Sequence, residues 1–276
     1  MIVSSLWGFF VSIRPPRYLS DITPKSLGLS YEAVSFKTSD DLTLVGWWIP
    51  RQGTEMIVNA EGATETIVLL HGYPADKGNI LPSLAYLSRT YNLFLFDFRY
   101  LGESDGKYST AGGKEVEDLL AAIRYLKTRG VEQIGVWGFS MGGAVALMGA
   151  AQAPEIAALI SESSYASLAK MAPQLYRLPL IRYPLAWLTG LWARLFIGIN
   201  ISDISPLNAA QKLTIPILLI HSETDEVIPF SHALALQEAL KENPKAEFWF
   251  KEELIHGQLN QEYDTRIQAF FDTNLH

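Results

Sequence analysis

Apolar positions recur along this chain with two different periods. Short runs bounded by Gly, Pro, Asn or Asp predict strands, and stretches with apolar residues three and four apart predict helices. Tyr31 to Lys37 and Leu42 to Ile49 predict two strands joined at Ser39-Asp40-Asp41 as a hairpin. Thr66 to Leu70, Leu93 to Phe96, Gln133 to Trp137, Ala157 to Ser161, Ile217 to His221 and Ala246 to Phe250 are short, mainly apolar runs. That pattern suits strands buried on both faces. Helical spacing covers Leu81 to Thr90, Gly143 to Met148, Ser231 to Lys241 and Gln258 to Asn274. It is clearest over Lys114 to Arg129, where Val116, Leu119, Leu120, Ile123 and Leu126 share one face. Strands alternating with helices predict an α/β fold, a mostly parallel central sheet flanked by helices. Sites in such sheets gather at the carboxyl ends of the strands. His71, Asp97, Ser140, Ser161, His221 and the loop holding Asp225 all fall there.

Two segments break the alternation. Tyr165 to Ser205 is rich in large apolar residues, with Leu188, Leu191, Trp192, Leu195 and Phe196 at helical spacing and Pro173, Pro179 and Pro184 as punctuation. It predicts a helical cap inserted above the sheet. Met1 to Ile13 is uncharged and mostly apolar, and Arg14-Pro15-Pro16-Arg17 ends any helix there. Thirteen residues fall short of the roughly 17–25 that a spanning helix needs. Two readings of this segment stand: packing on the body or a second subunit, and an interfacial anchor with Trp7, Phe9 and Phe10 near lipid headgroups. The predicted organisation is an N-terminal lead-in at 1–30, a core at 31–164 and 206–276, and a cap at 165–205.

Composition narrows the partners. The chain has 276 residues, 49% of them apolar, enough for one large core. A net charge of −7 and the lack of any Lys/Arg run disfavour nucleic acid or an anionic membrane as partner. There is no cysteine, which excludes disulfides and thiolate chemistry. The sequence has no metal, P-loop or dinucleotide motif, so no cofactor and no metal is implied.

One motif carries chemistry. Gly138-Phe139-Ser140-Met141-Gly142 lies between a predicted strand and a predicted helix, the setting of a nucleophile elbow. By chance G-x-S-x-G arises in about one chain in ten of this length, so it needs partners. A serine nucleophile requires a histidine base and a carboxylate to orient it. Of five histidines, His256 sits in the loop between the last strand and the last helix, where it can reach back to Ser140. The loop after Ile217 to His221 offers Glu223, Asp225 and Glu226, and Asp225, just before Val227-Ile228-Pro229, is assigned as the acid. Backbone N–H groups of Met141 and Tyr73 are assigned to the oxyanion hole. His71 is expected to order the Tyr73 loop by hydrogen bonding. Tyr73, Trp187, Trp192 and Phe196 are the candidate substrate-binding side chains.

In this order the signposts resemble the α/β-hydrolase superfamily. They are His71-Gly72, Gly138-Phe139-Ser140-Met141-Gly142-Gly143, Thr224-Asp225-Glu226-Val227-Ile228-Pro229 and His256-Gly257. The apolar N-terminus, Gly46-Trp47-Trp48-Ile49-Pro50 and Ser205-Pro206-Leu207 are similar to the Bem46-like branch. The resemblance implies a serine carboxylesterase acting on a small-molecule ester of short or medium acyl chain. A thioesterase, an amidase or peptidase with the same triad, and a non-catalytic binding module are the alternatives. A homodimer and peripheral membrane contact through the N-terminus stay open, as does location in the cytoplasm or at a membrane. One departure stands out. These relatives usually read D-x-R-G-x-G-x-S after the strand ending at Phe96, and this chain reads Asp97-Phe98-Arg99-Tyr100-Leu101-Gly102-Glu103-Ser104. Tyr100 in place of glycine puts that loop's backbone shape in doubt. Asp97 and Arg99 are expected to form a structural ion pair.

Overall fold

A computed structural model describes residues 1–52, 65–176, 180–252, 254–258 and 262–275. Pro179, His276 and the 259–261 part of the predicted last helix therefore lie outside the described residues. The strands are β1 (Glu32–Lys37), β2 (Thr43–Ile49), β3 (Glu65–Leu70), β4 (Asn92–Phe96), β5 (Gln133–Phe139), β6 (Ile156–Glu162), β7 (Ile217–Ser222) and β8 (Ala246–Lys251). They form one sheet in the order β1-β2-β4-β3-β5-β6-β7-β8. The β1–β2 and β2–β4 pairs are antiparallel, and all the others are parallel.

Alternation along the strands feeds two core layers. Val68 and Leu70 face α3 (Glu115–Thr128), α4 (Met141–Ala150) and α8 (Ser231–Leu240). Ile67 and Leu69 face α2 (Lys77–Leu84) and α9 (Tyr263–Asn274). Each such side chain, fully removed from water, contributes about 1.5–3 kcal/mol. Both faces of β3 are therefore held, which is why its sequence shows no polar alternation.

The helix after β3 starts earlier than the apolar pattern indicates. The Asp76 carboxylate accepts the Asn79 N–H at 3.1 Å and caps α2 ahead of its first apolar residue. The predicted second half, Ala85–Arg89, tightens into a 3-10 turn.

The helices outside the strand–helix alternation come from two distant stretches of chain. Residues after β6 form α5 (Leu168–Met171), a 3-10 turn at Ala172–Leu175, and α6 (Arg182–Ile197). The N-terminal residues form α1 (Ile2–Ile13), which buries Ser5, Phe9 and Ile13. The Trp192 indole N–H donates to Ser5 Oγ at 3.0 Å, and the Phe9 and Phe196 rings stack at 6.1 Å. A short α7 (Pro206–Ala210) returns the chain to the core.

Beyond α1 the chain is strapped to the body. The Tyr100 hydroxyl donates to Pro15 O at 2.9 Å, and Arg17 Nε donates to Tyr100 O at 2.8 Å. Ser20 N–H then donates to Asp76 at 2.6 Å. Tyr100 holds φ at 68°, in the left-handed region that glycine favours. The loop thus keeps a glycine-type backbone at this position with a tyrosine in it, and the ring it gains is the anchor of the N-terminal strap.

The expected Asp97–Arg99 ion pair is not formed. Residues two apart on a loop leaving a strand diverge to separate partners. Asp97 pairs with Lys77 Nζ at 2.7 Å, and Arg99 reaches Asp118 at 2.7 Å and Asp40 at 2.9 Å.

Candidate active site

β5 ends at Phe139 and α4 begins at Met141, so Ser140 alone turns the chain. It does so at φ 56° and ψ −116°, a conformation costing roughly 1–3 kcal/mol for a non-glycine residue. The flanking glycines are sterically required. A Cβ on Gly138 would lie 2.4 Å from Gly142 O, and one on Gly142 would lie 2.4 Å from Leu70 O. The strain is held from below. Ser140 N–H donates to Glu162 O at 2.8 Å, and the buried Glu162 carboxylate is bound by Lys251 Nζ and the Tyr263 hydroxyl.

The carboxylate and imidazole come from the loops after β7 and β8. Asp225 Oδ1 accepts the N–H groups of Val227 at 2.9 Å and Ile228 at 2.8 Å. Its Oδ2 is left to His256 Nδ1, at 2.7 Å. Burial pushes the Asp225 carboxyl up, but the bond to His256 and those from the two N–H groups outweigh it and hold the acid below the usual carboxylate range. An ionised Asp225 can only accept, so Nδ1 of His256 carries a proton, and in the neutral ring Nε2 is the nitrogen left to act as base. Glu226, one of the three candidate acids, instead accepts the His256 backbone N–H at 3.1 Å. Ser222 Oγ and Thr224 Oγ1 both donate to Leu254 O, tying the acid loop to the histidine loop. The Phe139 ring lies 4.7 Å from the His256 ring and backs it.

His71 joins two loops. Phe98 N–H donates to its Nε2 at 3.1 Å, so Nδ1 carries the proton and donates to Gly72 O at 2.7 Å. This fixes the start of the Tyr73 loop. Met141 opens α4, where free N–H groups and the helix dipole favour negative charge. Ser140, His256, Gly72 and Tyr73 line one cavity of about 470 Å³ with Tyr18, Pro74, Asn79, Phe139 and Val227. A hydroxyl, an imidazole backed by a carboxylate, and a helix N-terminus thus converge on a mainly apolar pocket. That set can run acyl transfer.

Three candidate pocket residues are not brought to this cavity. Trp187 is exposed, Trp192 bonds to Ser5, and Phe196 packs on Phe9 and Phe10. α1 occupies the face of α6 that carries Trp192 and Phe196, and Trp187 is turned to water. The apolar lining comes from Tyr18, Pro74, Phe139 and Val227 instead. Phe139 lies inside the elbow motif but has no pocket role in the sequence reading, and Tyr18 carries no signal there.

Residues 65–192 match the family model described as the alpha/beta hydrolase fold. The chain is 33% identical over 220 residues to YfhR of Escherichia coli O157:H7, covering 77% of this chain and 69% of that protein. The chain belongs to the α/β-hydrolase superfamily. Bem46 of Schizosaccharomyces pombe is a further relative, 28% identical over 217 residues, covering 75% of this hydrolase and 64% of that protein. Among solved structures, the esterase Pf2001 of Pyrococcus furiosus superposes with a TM-score of 0.77 at 29% identity, over 95% of this chain and 99% of that one. Among the described residues, eight strands with two antiparallel pairs at one edge, and a serine turn between β5 and α4, are this hydrolase's form of the fold.

Proposed function

We propose that this hydrolase is a serine carboxylesterase for carboxylic esters of short to medium acyl chain. The observation that carries the reading is the 2.7 Å bond from His256 Nδ1 to Asp225, with Ser140 and His256 on one cavity. Ser140 Oγ attacks the ester carbonyl while His256 Nε2 takes its proton. Asp225 holds the imidazole in the required tautomer and stabilises its charged form. The oxyanion forms against the N–H groups of Met141 and Tyr73. His256 then protonates the leaving alkoxide, and the alcohol departs. Water, deprotonated by His256, attacks the acyl-enzyme and releases the acid. A cavity of about 470 Å³ suits a compact substrate rather than a long extended chain. Similarity to the Pyrococcus esterase over nearly the whole of both chains supports an ester over an amide.

The test is hydrolysis of p-nitrophenyl esters from acetate to palmitate, with Ser140→Ala beside the native protein. Turnover should peak at short or medium chains, and the variant should lose about 10⁶-fold in kcat. A folded variant keeping a tenth of the activity overturns the nucleophile. Absence of turnover on every ester overturns the substrate class.

A further inference from the structure

Behind the elbow the sheet buries two opposite charges. The Glu162 and Lys251 side chains are only 2% and 4% exposed and meet at 3.1 Å. They stand at the carboxyl ends of β6 and β8, with β7 between those strands. Ala158 and Ile160 of β6 and Leu218 and Ile220 of β7 belong to the core layer under α9, and Trp249 of β8 packs against it. The two-residue period of a strand puts Glu162 and Lys251 on that same face. The bridge therefore spans β7. Tyr263 of α9 closes it by donating its hydroxyl to the second Glu162 oxygen at 2.5 Å. Lys251 Nζ also lies 5.1 Å and 5.3 Å from the centres of the Tyr263 and Trp249 rings.

Stability alone is a poor reason for this pair. Taking two charges out of water costs about what their attraction returns, and an apolar pair of equal volume often serves a core as well. Position is what distinguishes these two residues. The Glu162 carbonyl accepts the Ser140 N–H at 2.8 Å, so its backbone holds the elbow. The Lys251 carbonyl accepts the Glu223 N–H at 2.9 Å, at the start of the loop that carries Asp225. Lys251 is also the last residue of β8, the strand whose following loop carries His256. One ion pair thus joins the strand end that holds the nucleophile to the strand end from which the acid and base loops hang. Ladder bonds fix each strand against its neighbour, but neighbouring strands take a range of twists. A side-chain bridge from β6 to β8 restricts that freedom at the end of the sheet where the site lies.

The geometry points to Glu162 and Lys251 as positioning residues, whose buried ion pair sets the separation of Ser140 Oγ from His256 Nε2. This rests on the serine-hydrolase reading above. Neither side chain lines the cavity, so their loss acts on the chemical step rather than on binding. A misplacement of about 1 Å is enough to cost about 10²-fold in rate.

The experiment is the rate of labelling by a fluorophosphonate probe, which needs an activated Ser140 and no particular ester. Glu162→Gln/Lys251→Met removes both charges together. The amide still accepts the Tyr263 hydroxyl, and the methionine still packs on the Trp249 and Tyr263 rings. Its Tm should stay near the native value. Its maximal labelling rate should fall at least about tenfold, while the probe concentration giving half that rate shifts by less than about twofold. Lys251→Gln, which leaves a neutral donor facing Glu162, should slow labelling in the same direction by at least about threefold and serves if the double variant does not fold. A folded variant that labels as fast as the native protein overturns the inference, because the pair then only fills the core. So does a loss confined to the half-maximal concentration, or one that comes only with a matching loss of Tm. A native protein that takes no label removes the nucleophile itself, and the positioning role with it.

Discussion

Asp225 divides its two oxygens between two tasks. One is saturated by the N–H groups of Val227 and Ile228, and the other faces His256. Asp225→Asn keeps the shape but offers an NH₂ group to Nδ1 once its oxygen serves the backbone. The imidazole must then carry its proton on Nε2, where it cannot act as base. We expect kcat to fall about 10⁴-fold with Tm nearly unchanged, measured on the same ester series. An equal loss of Tm and kcat would make the residue structural. The positions of Ser140, Asp225 and His256 at strand ends were readable because each follows an apolar run in chain order. The choice of Asp225 over Glu226 rested on its place before Val227-Ile228-Pro229, and the structure gives each carboxylate a different bond. Phe139 against the imidazole and Tyr18 on the cavity were not read, since nothing in local periodicity reports which distant segments meet.

At the scale of elements, the N-terminal strap is what the sequence pattern left undecided. Periodicity marks Met1 to Ile13 as apolar but names no partner for it. The structure supplies α6 as that partner and Tyr100 as the anchor behind it. The same meeting explains why Trp192 and Phe196 do not line the pocket. Helical spacing placed them on one face correctly, yet that face belongs to α1. Tyr100→Gly would relieve the left-handed backbone while removing the bond to Pro15 O and the Arg17 guanidinium's stacking at 5.4 Å from the ring. These two contacts together contribute about 1.5 kcal/mol, so the strap should open roughly tenfold more often. Trypsin cleavage after Arg17 should accelerate by about that factor, and an unchanged rate would show that the strap is held elsewhere.

Three buried histidines are held toward the neutral form by the body of the molecule. Burial depresses the pKa of His71, His221 and His232, and for His232 it does so to about 4, helped by His221 and Lys170. His232 Nδ1 accepts the Ala166 N–H at 3.0 Å, a bond that the protonated ring cannot make. In the unfolded chain this ring titrates near 6.5, so between 6.5 and about 4 the unfolded state binds the extra proton. Stability therefore declines as pH falls through that window. His232→Asn keeps an acceptor near the Nδ1 position and cannot titrate; its Tm should fall less steeply with acid than the native Tm. Parallel profiles would remove His232 from the account.

The pairing of α1 with α6 also sets a schedule for biosynthesis. Ser5 and Trp192, which bond across α1 and α6, are 187 positions apart in the chain. At roughly 5–20 residues per second, the first helix waits on the order of ten to forty seconds for its mate to leave the ribosome. Throughout that interval Phe9 and Ile13 lack the α6 side chains that complete their cover. The nascent protein therefore begins its life with its stickiest helix unaccompanied, and whatever shelters that helix in the meantime decides how much of the chain reaches the native state.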